Sequence, residues 1–125
     1  MEIIRRDQSI HVEKPGGTVV NYYIRPEYEI HYNELLPGTV QTWHHHDKIE
    51  ETLLLLEGEL EVRWRDDQDT LQSAILKKGD LVRVENTSHS FANLSSSTIS
   101  FVVFRVVLTG LDYRELIKND KHIDK

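Results

Sequence analysis

Turn residues cut this chain into many short runs rich in β-branched, aromatic and aliphatic residues, and that punctuation constrains its fold more than any other feature. Residues 18–24, Thr-Val-Val-Asn-Tyr-Tyr-Ile, have a strand composition. Tyr28, Ile30 and Tyr32 then alternate with Glu29, His31 and Asn33, as in a strand with one buried face. Pro37-Gly38 interrupts the chain, and residues 40–46 read as the next strand. Residues 51–57 and 59–65 flank Gly58, and Asp66-Asp67-Gln68-Asp69 reads as a polar hairpin turn leading to a return run over residues 71–76. After the turn Lys77-Lys78-Gly79-Asp80 come residues 81–84, and residues 99–108 are apolar except for Ser100 and Arg105. Roughly eight or more short strands select an all-β sandwich, jelly roll or barrel.

Only the end departs from this pattern. Gly110 stops the last strand, and Asp112 is placed to cap a short helix over residues 113–118. Leu111 and Ile117 would face the body, and the polar tail 119–125 would fray.

A chain of 125 residues is the size of one domain, with room for one core, so residues 1–125 read as a single unit. Its net charge of -6 argues against a general phosphate-backbone binder, and nucleic acid is not an expected partner. With no cysteine, disulfides, thiolate zinc sites and cysteine nucleophiles are excluded. No apolar run approaches the roughly 20 residues of a membrane span, and the N-terminus has no signal-type apolar core, so the expected location is cytoplasmic.

His44-His45-His46 carries the chemistry. In a strand, residues two apart point the same way, so His44 and His46 project together while His45 and Trp43 face the other side. Two imidazoles on one face can grip a metal ion, although a solvated histidine loop explains the run as simply. Glu51 joins them if Asp47-Lys48-Ile49 turns the chain, and His89 arrives from far along the sequence.

The order Gly38, His44-x-His46, Glu51, Gly58 resembles the first motif of the cupin superfamily, and the spacing to the closing Gly58 selects Glu51 over Glu50. Gly79 to His89 and Asn93 resemble the second motif, except that residues of Glu85-Asn86-Thr87 stand where proline and glycine are usual and the loop is one residue short. The resemblance spans about residues 35–104, leaving N-terminal strands in 1–34 and a helix and tail in 110–125. It implies a double-stranded β-helix, a jelly-roll barrel of two antiparallel sheets. It also implies one divalent transition metal (Fe, Mn, Ni, Zn or Cu) on His44, His46, Glu51 and His89.

Such an ion keeps open positions for a small molecule, which allows three functions. One is a metal-dependent enzyme of dioxygenase type. Another is a metal-dependent isomerase, epimerase or lyase on a sugar or small acid, with His31 or Tyr32 as a proton-transfer group. The third is a non-catalytic small-ligand binding module. The simpler reading of Tyr32 is core packing, and of His31 a solvent-facing position. Phe91 and Phe101 are cavity-lining or core candidates, and Asn93 a loop anchor. Arg63, Arg65, Arg83 and Arg105 would bind an acidic substrate only where they point inward. The N-terminal strands offer an exposed edge, and by family resemblance the chain is expected to be a homodimer.

Overall fold

The computed structural model describes residues 1–124. Nine strands build it: β1 (Ile10–Glu13), β2 (Thr18–Ile24), β3 (Tyr28–Leu35), β4 (Glu50–Glu57), β5 (Leu60–Arg65), β6 (Leu71–Leu76), β7 (Leu81–Arg83), β8 (His89–Ala92) and β9 (Ile99–Val106). They form a six-stranded sheet in the order β1-β2-β3-β9-β4-β7 and a three-stranded sheet in the order β6-β5-β8, with antiparallel pairing throughout. Distant segments of chain thus become neighbours: β3 and β4 both pair with β9. Strands are the main regular structure, beside one short 3-10 turn and one short C-terminal helix, as in a jelly roll.

The core lies between the sheets. Leu35, Leu53, Leu55, Ile99, Phe101 and Val103 come from the six-stranded sheet, and Leu60, Val62 and Phe91 from the three-stranded one. Each such side chain contributes about 1.5–3 kcal/mol on burial. The β4–β5 turn needs glycine at 58, because a Cβ there would run into the Ile99 side chain and φ is +86°. The turn at 66–69 closes as a polar hairpin, with Asp66 Oδ1 accepting from the amides of Gln68 and Thr70.

Three expectations need correction. Residues 40–46 do not form a continuous strand: the segment makes two isolated bridges, Val40 to Ala92 and His44 to His89, and is otherwise irregular. The alternation in β3 is real but its faces are reversed. His31, Asn33 and Leu35 are buried, whereas Ile30 and Tyr32 lie half-buried on the outer face. The C-terminal helix α1 (Arg114–Asn119) begins one residue later than expected, with Asp112 accepting from the Arg114 amide, and it buries none of its residues. Leu111 and Ile117 are 67% and 75% exposed and do not face the body. Strands β1 and β8 were not legible as strands: β1 holds only two apolar residues, and β8 is short and follows an irregular loop.

Candidate metal centre

Three segments bring the site together. His44 and His46 come from the bridged segment, Glu51 from the start of β4, and His89 from the start of β8. Reciprocal backbone hydrogen bonds between His44 and His89, at 3.1 and 2.9 Å, hold the two histidines side by side. Within β4, Glu51 shares its inward face with Leu53 and Leu55, so the alternation that fills the core also aims this carboxylate inward. One donor atom from each of His44, His46, Glu51 and His89 lies within 4.8 Å of every other, so the group could hold a metal ion. His45 is exposed and outside the cluster, with Nε2 3.3 Å from Asp47 Oδ1.

In three of the four residues the other polar atom of the side chain is already engaged. His44 Nδ1 donates to the Thr42 carbonyl and His89 Nδ1 to the Thr87 carbonyl, each at 2.8 Å. A carbonyl only accepts, so in the neutral rings the proton sits on Nδ1 and Nε2 keeps a lone pair. Arg105 donates from Nε and Nη2 to Glu51 Oε1, at 3.2 and 3.1 Å, which leaves Oε2 free. Glu51 Oε2, His46 Nε2 and His89 Nε2 are all buried without a hydrogen-bond partner. Oε2 lies 2.9 Å from His46 Nε2 and 3.7 Å from His89 Nε2, but the first contact is not aligned as a hydrogen bond. Unsatisfied buried acceptors facing one another are costly, and a cation between them removes the cost. Burial holds the His89 imidazole below the ordinary histidine value, which favours the neutral, ligating form.

The loop before His89 turns without the usual proline and glycine. Glu85 adopts φ +53°, a conformation rare for a residue with a side chain, and the Thr87 amide closes onto the Val84 carbonyl. Asn93 anchors the far end of β8. Its Nδ2 donates to the carbonyls of Leu35 and Ser97, and its Oδ1 accepts from Ser95. Glu50 forms a two-pronged ion pair with Arg83 on the outer side of β4, at 2.7 and 3.1 Å.

A cavity of about 380 Å³ opens on His44 and Glu51. His31, Phe91, Phe101, Val103 and Arg105 line it. His31 is therefore a buried cavity residue, not a solvent-facing one, and Tyr32 points outward, where Arg6 stacks on its ring. The His31 ring packs edge-on against Tyr22 and pairs with Glu29 at 2.9 Å. Burial lowers its pKa against the opposing pull of Glu29. Arg105 is the inward arginine. Arg63 pairs with Glu61, and Arg65 stacks on the exposed Trp43. Trp64 packs against the core edge. Sequence reasoning missed Lys14, Thr39 and Gln41 in the cavity wall, because they lie in turns and irregular segments with no periodicity to follow.

Among solved structures, the chain is similar to Drosophila melanogaster CENP-C bound to CAL1 (TM-score 0.72, 17% identity, covering 82% of this chain and 84% of that one). It is also similar to Peruvianin-I, described as a cysteine peptidase from Thevetia peruviana latex (TM-score 0.71, 16% identity, 84% and 71% covered). Oxalate oxidase matches with a TM-score of 0.66 and 18% identity over 75% of this chain, which spans 53% of that protein. At these identities the likeness speaks for the jelly-roll fold alone. No curated protein sequence matches the chain. The family model described as "Cupin domain" matches residues 31–105, more than half of the chain. With both motifs in place on this fold, the chain belongs to the cupin family.

Proposed function

We propose that the protein is a metal-dependent enzyme acting on a small molecule, with one divalent transition ion held by His44, His46, Glu51 and His89. The observation that carries this reading is the convergence of three buried, unpartnered polar atoms, Glu51 Oε2, His46 Nε2 and His89 Nε2, two of whose groups are already engaged at their other polar atom. Four protein donors leave one or two positions open on a five- or six-coordinate ion, and the cavity leads to them. When bound, the ion would supply Lewis-acid or O2-activating chemistry there. His44 and His89 are oriented by their carbonyl partners, Arg105 fixes the carboxylate, and Phe91, Phe101 and Val103 limit the water near the site.

A dioxygenase-type reaction is the first reading. Isomerase, epimerase or lyase chemistry is the second, supported by His31, a buried imidazole in the cavity wall that can move a proton at its ring nitrogen. A non-catalytic binding module would use the same cavity without turnover. Elemental analysis of tag-free protein decides the common premise: about one iron per chain directs the next step to O2 uptake, and stoichiometric zinc, nickel or manganese to anaerobic turnover. No metal after each ion is added back would end the metal reading.

We also propose that the chain, acting as one unit over residues 1–125 in a cytoplasmic setting, forms a homodimer. The outer face of the six-stranded sheet carries Ile30, Leu54, Val102 and Phe104, and β1 leaves an unpaired edge. Sedimentation equilibrium tests it, and a monomer at micromolar concentration overturns it. Among the described residues no helix is long and apolar enough to cross a membrane.

A further inference from the structure

Building on the metal site just proposed, we infer that its cavity takes a small organic anion, with a carboxylate of that ligand held by Lys14. The wall of the cavity departs from the composition of the chain. Acids outnumber bases overall, giving a net charge of -6, yet the wall carries one ammonium, Lys14, and one guanidinium, Arg105, against one carboxylate, Glu51. Glu51 is committed to Arg105 and to the ligand cluster, so no acid faces the rest of the space. A divalent ion would make the lining strongly positive, and a low-dielectric cleft of one sign concentrates ligands of the other.

Lys14 is placed for this role by the turn between β1 and β2. The turn is pinned over the cavity: the Lys14 amide donates to the Thr18 carbonyl at 2.8 Å, and the Leu36 amide to the Gly17 carbonyl at 2.9 Å. Gly17 packs against Thr39 at φ +107°, where a Cβ would collide with the Thr39 hydroxyl. Lys14 is exposed and borders the cavity, with Nζ 5.9 Å from the Tyr22 ring centroid. That ring is 4.6 Å from the ring of His31, so the ammonium stands at the rim on the side of the cavity that His31 lines. Among the described residues Lys14 has no ion-pair partner, and Arg105 Nη1 has no hydrogen-bond partner. The Thr39 hydroxyl, 3% exposed and in the same wall, is a buried polar atom without a partner. An unpaired ammonium, a guanidinium with a free N–H edge and an unpaired hydroxyl make a set of donors, and the ligand that satisfies donors is an acceptor-rich anion.

The test uses cobalt-loaded full-length protein and a calorimetric titration with acetate, malonate, succinate and glutarate, each beside its neutral amide. At least one carboxylate should bind about tenfold or more tightly than its amide, the effect of one charge-assisted hydrogen bond. Lys14→Gln should abolish that preference and Lys14→Arg should keep it. The cobalt stoichiometry, read separately from the visible spectrum, should be unchanged in both variants. No carboxylate preference in the panel, or an undiminished preference in Lys14→Gln, overturns the inference. Failure of cobalt to bind counts against the metal reading, which ends when every other ion added back also fails to bind. The same titration on metal-free protein then decides the Lys14 claim, supported by a preference that Lys14→Gln removes and overturned by its absence.

Discussion

The two ends of the space between the sheets are built from the same strands and differ in kind. Along β3 the inward residues run from Leu35 through Asn33 to His31, and along β4 from Leu55 through Leu53 to Glu51. Along β9 they run from Ile99 through Phe101 and Val103 to Arg105. Register aligns these series: Leu35 faces Ile99, His31 faces Val103 beside Leu53, and Glu29 faces Arg105 beside Glu51. One end is therefore closed by apolar packing, and the other presents charged and imidazole groups four to six residues, or roughly 13–20 Å, further along the strands. The closed end supplies the burial that tolerates orphaned acceptors at the open end.

The first way to break this comparison is Leu53→Ala, at the closed end. Leu53 is fully buried, and its removal should cost about 2–5 kcal/mol of unfolding free energy in urea. A loss below 1 kcal/mol would mean that the packing there is looser than the contacts indicate. At the open end, His46→Ala should remove metal from purified protein while leaving metal-free stability far less affected, and His45→Ala should change neither. Equal metal loss in both variants would refute the parity argument for the cluster.

Arg105→Met sharpens the comparison at its boundary. The guanidinium holds Glu51 Oε1, so its loss should weaken metal binding by roughly 10–100-fold, the usual effect of a group that orients a ligand. Unchanged affinity in a competition titration would show that Glu51 needs no help. The smallest effect is the pH dependence of His31. Its folded pKa is lowered, chiefly by burial, with Glu29 pulling upward and Arg105 and Glu51 nearby acting in opposite senses. The unfolded state thus binds more protons below the ordinary histidine value, and stability should fall as pH drops from about 7 towards the folded pKa. Thermal melts of metal-free His31→Gln should show a flatter pH dependence than the wild type, and an identical slope would remove His31 as its source.

The candidate ligand set was legible through the resemblance to the two cupin motifs: His44 and His46 differ by two, Gly58 distinguishes Glu51 from Glu50, and His89 lies in the second motif. The β4, β5, β6 and β9 runs were legible because their composition is plainly that of strands. The role of β3 was not. Its apolar residues Ile30 and Tyr32 suggested a buried face, yet the buried side chains are His31 and Asn33, because that side of the sheet faces a polar cavity. Alternation determines which residues share a face, but not which face is inside. The C-terminal helix forms within one residue of its expected span, but the apolar Leu111 and Ile117 stay exposed and do not pack on the body.

By itself, then, the sequence determined an all-β chain with a cysteine-free interior and a histidine–glutamate motif, since period, turn chemistry and motif spacing are properties of neighbours along the chain. Only the tertiary structure decided that His89 sits against His44, that Arg105 rather than another arginine holds Glu51, and that Lys14 reaches the same cavity. Those relations come from pairing between strands far apart in sequence, where register, not spacing, sets which side chains meet.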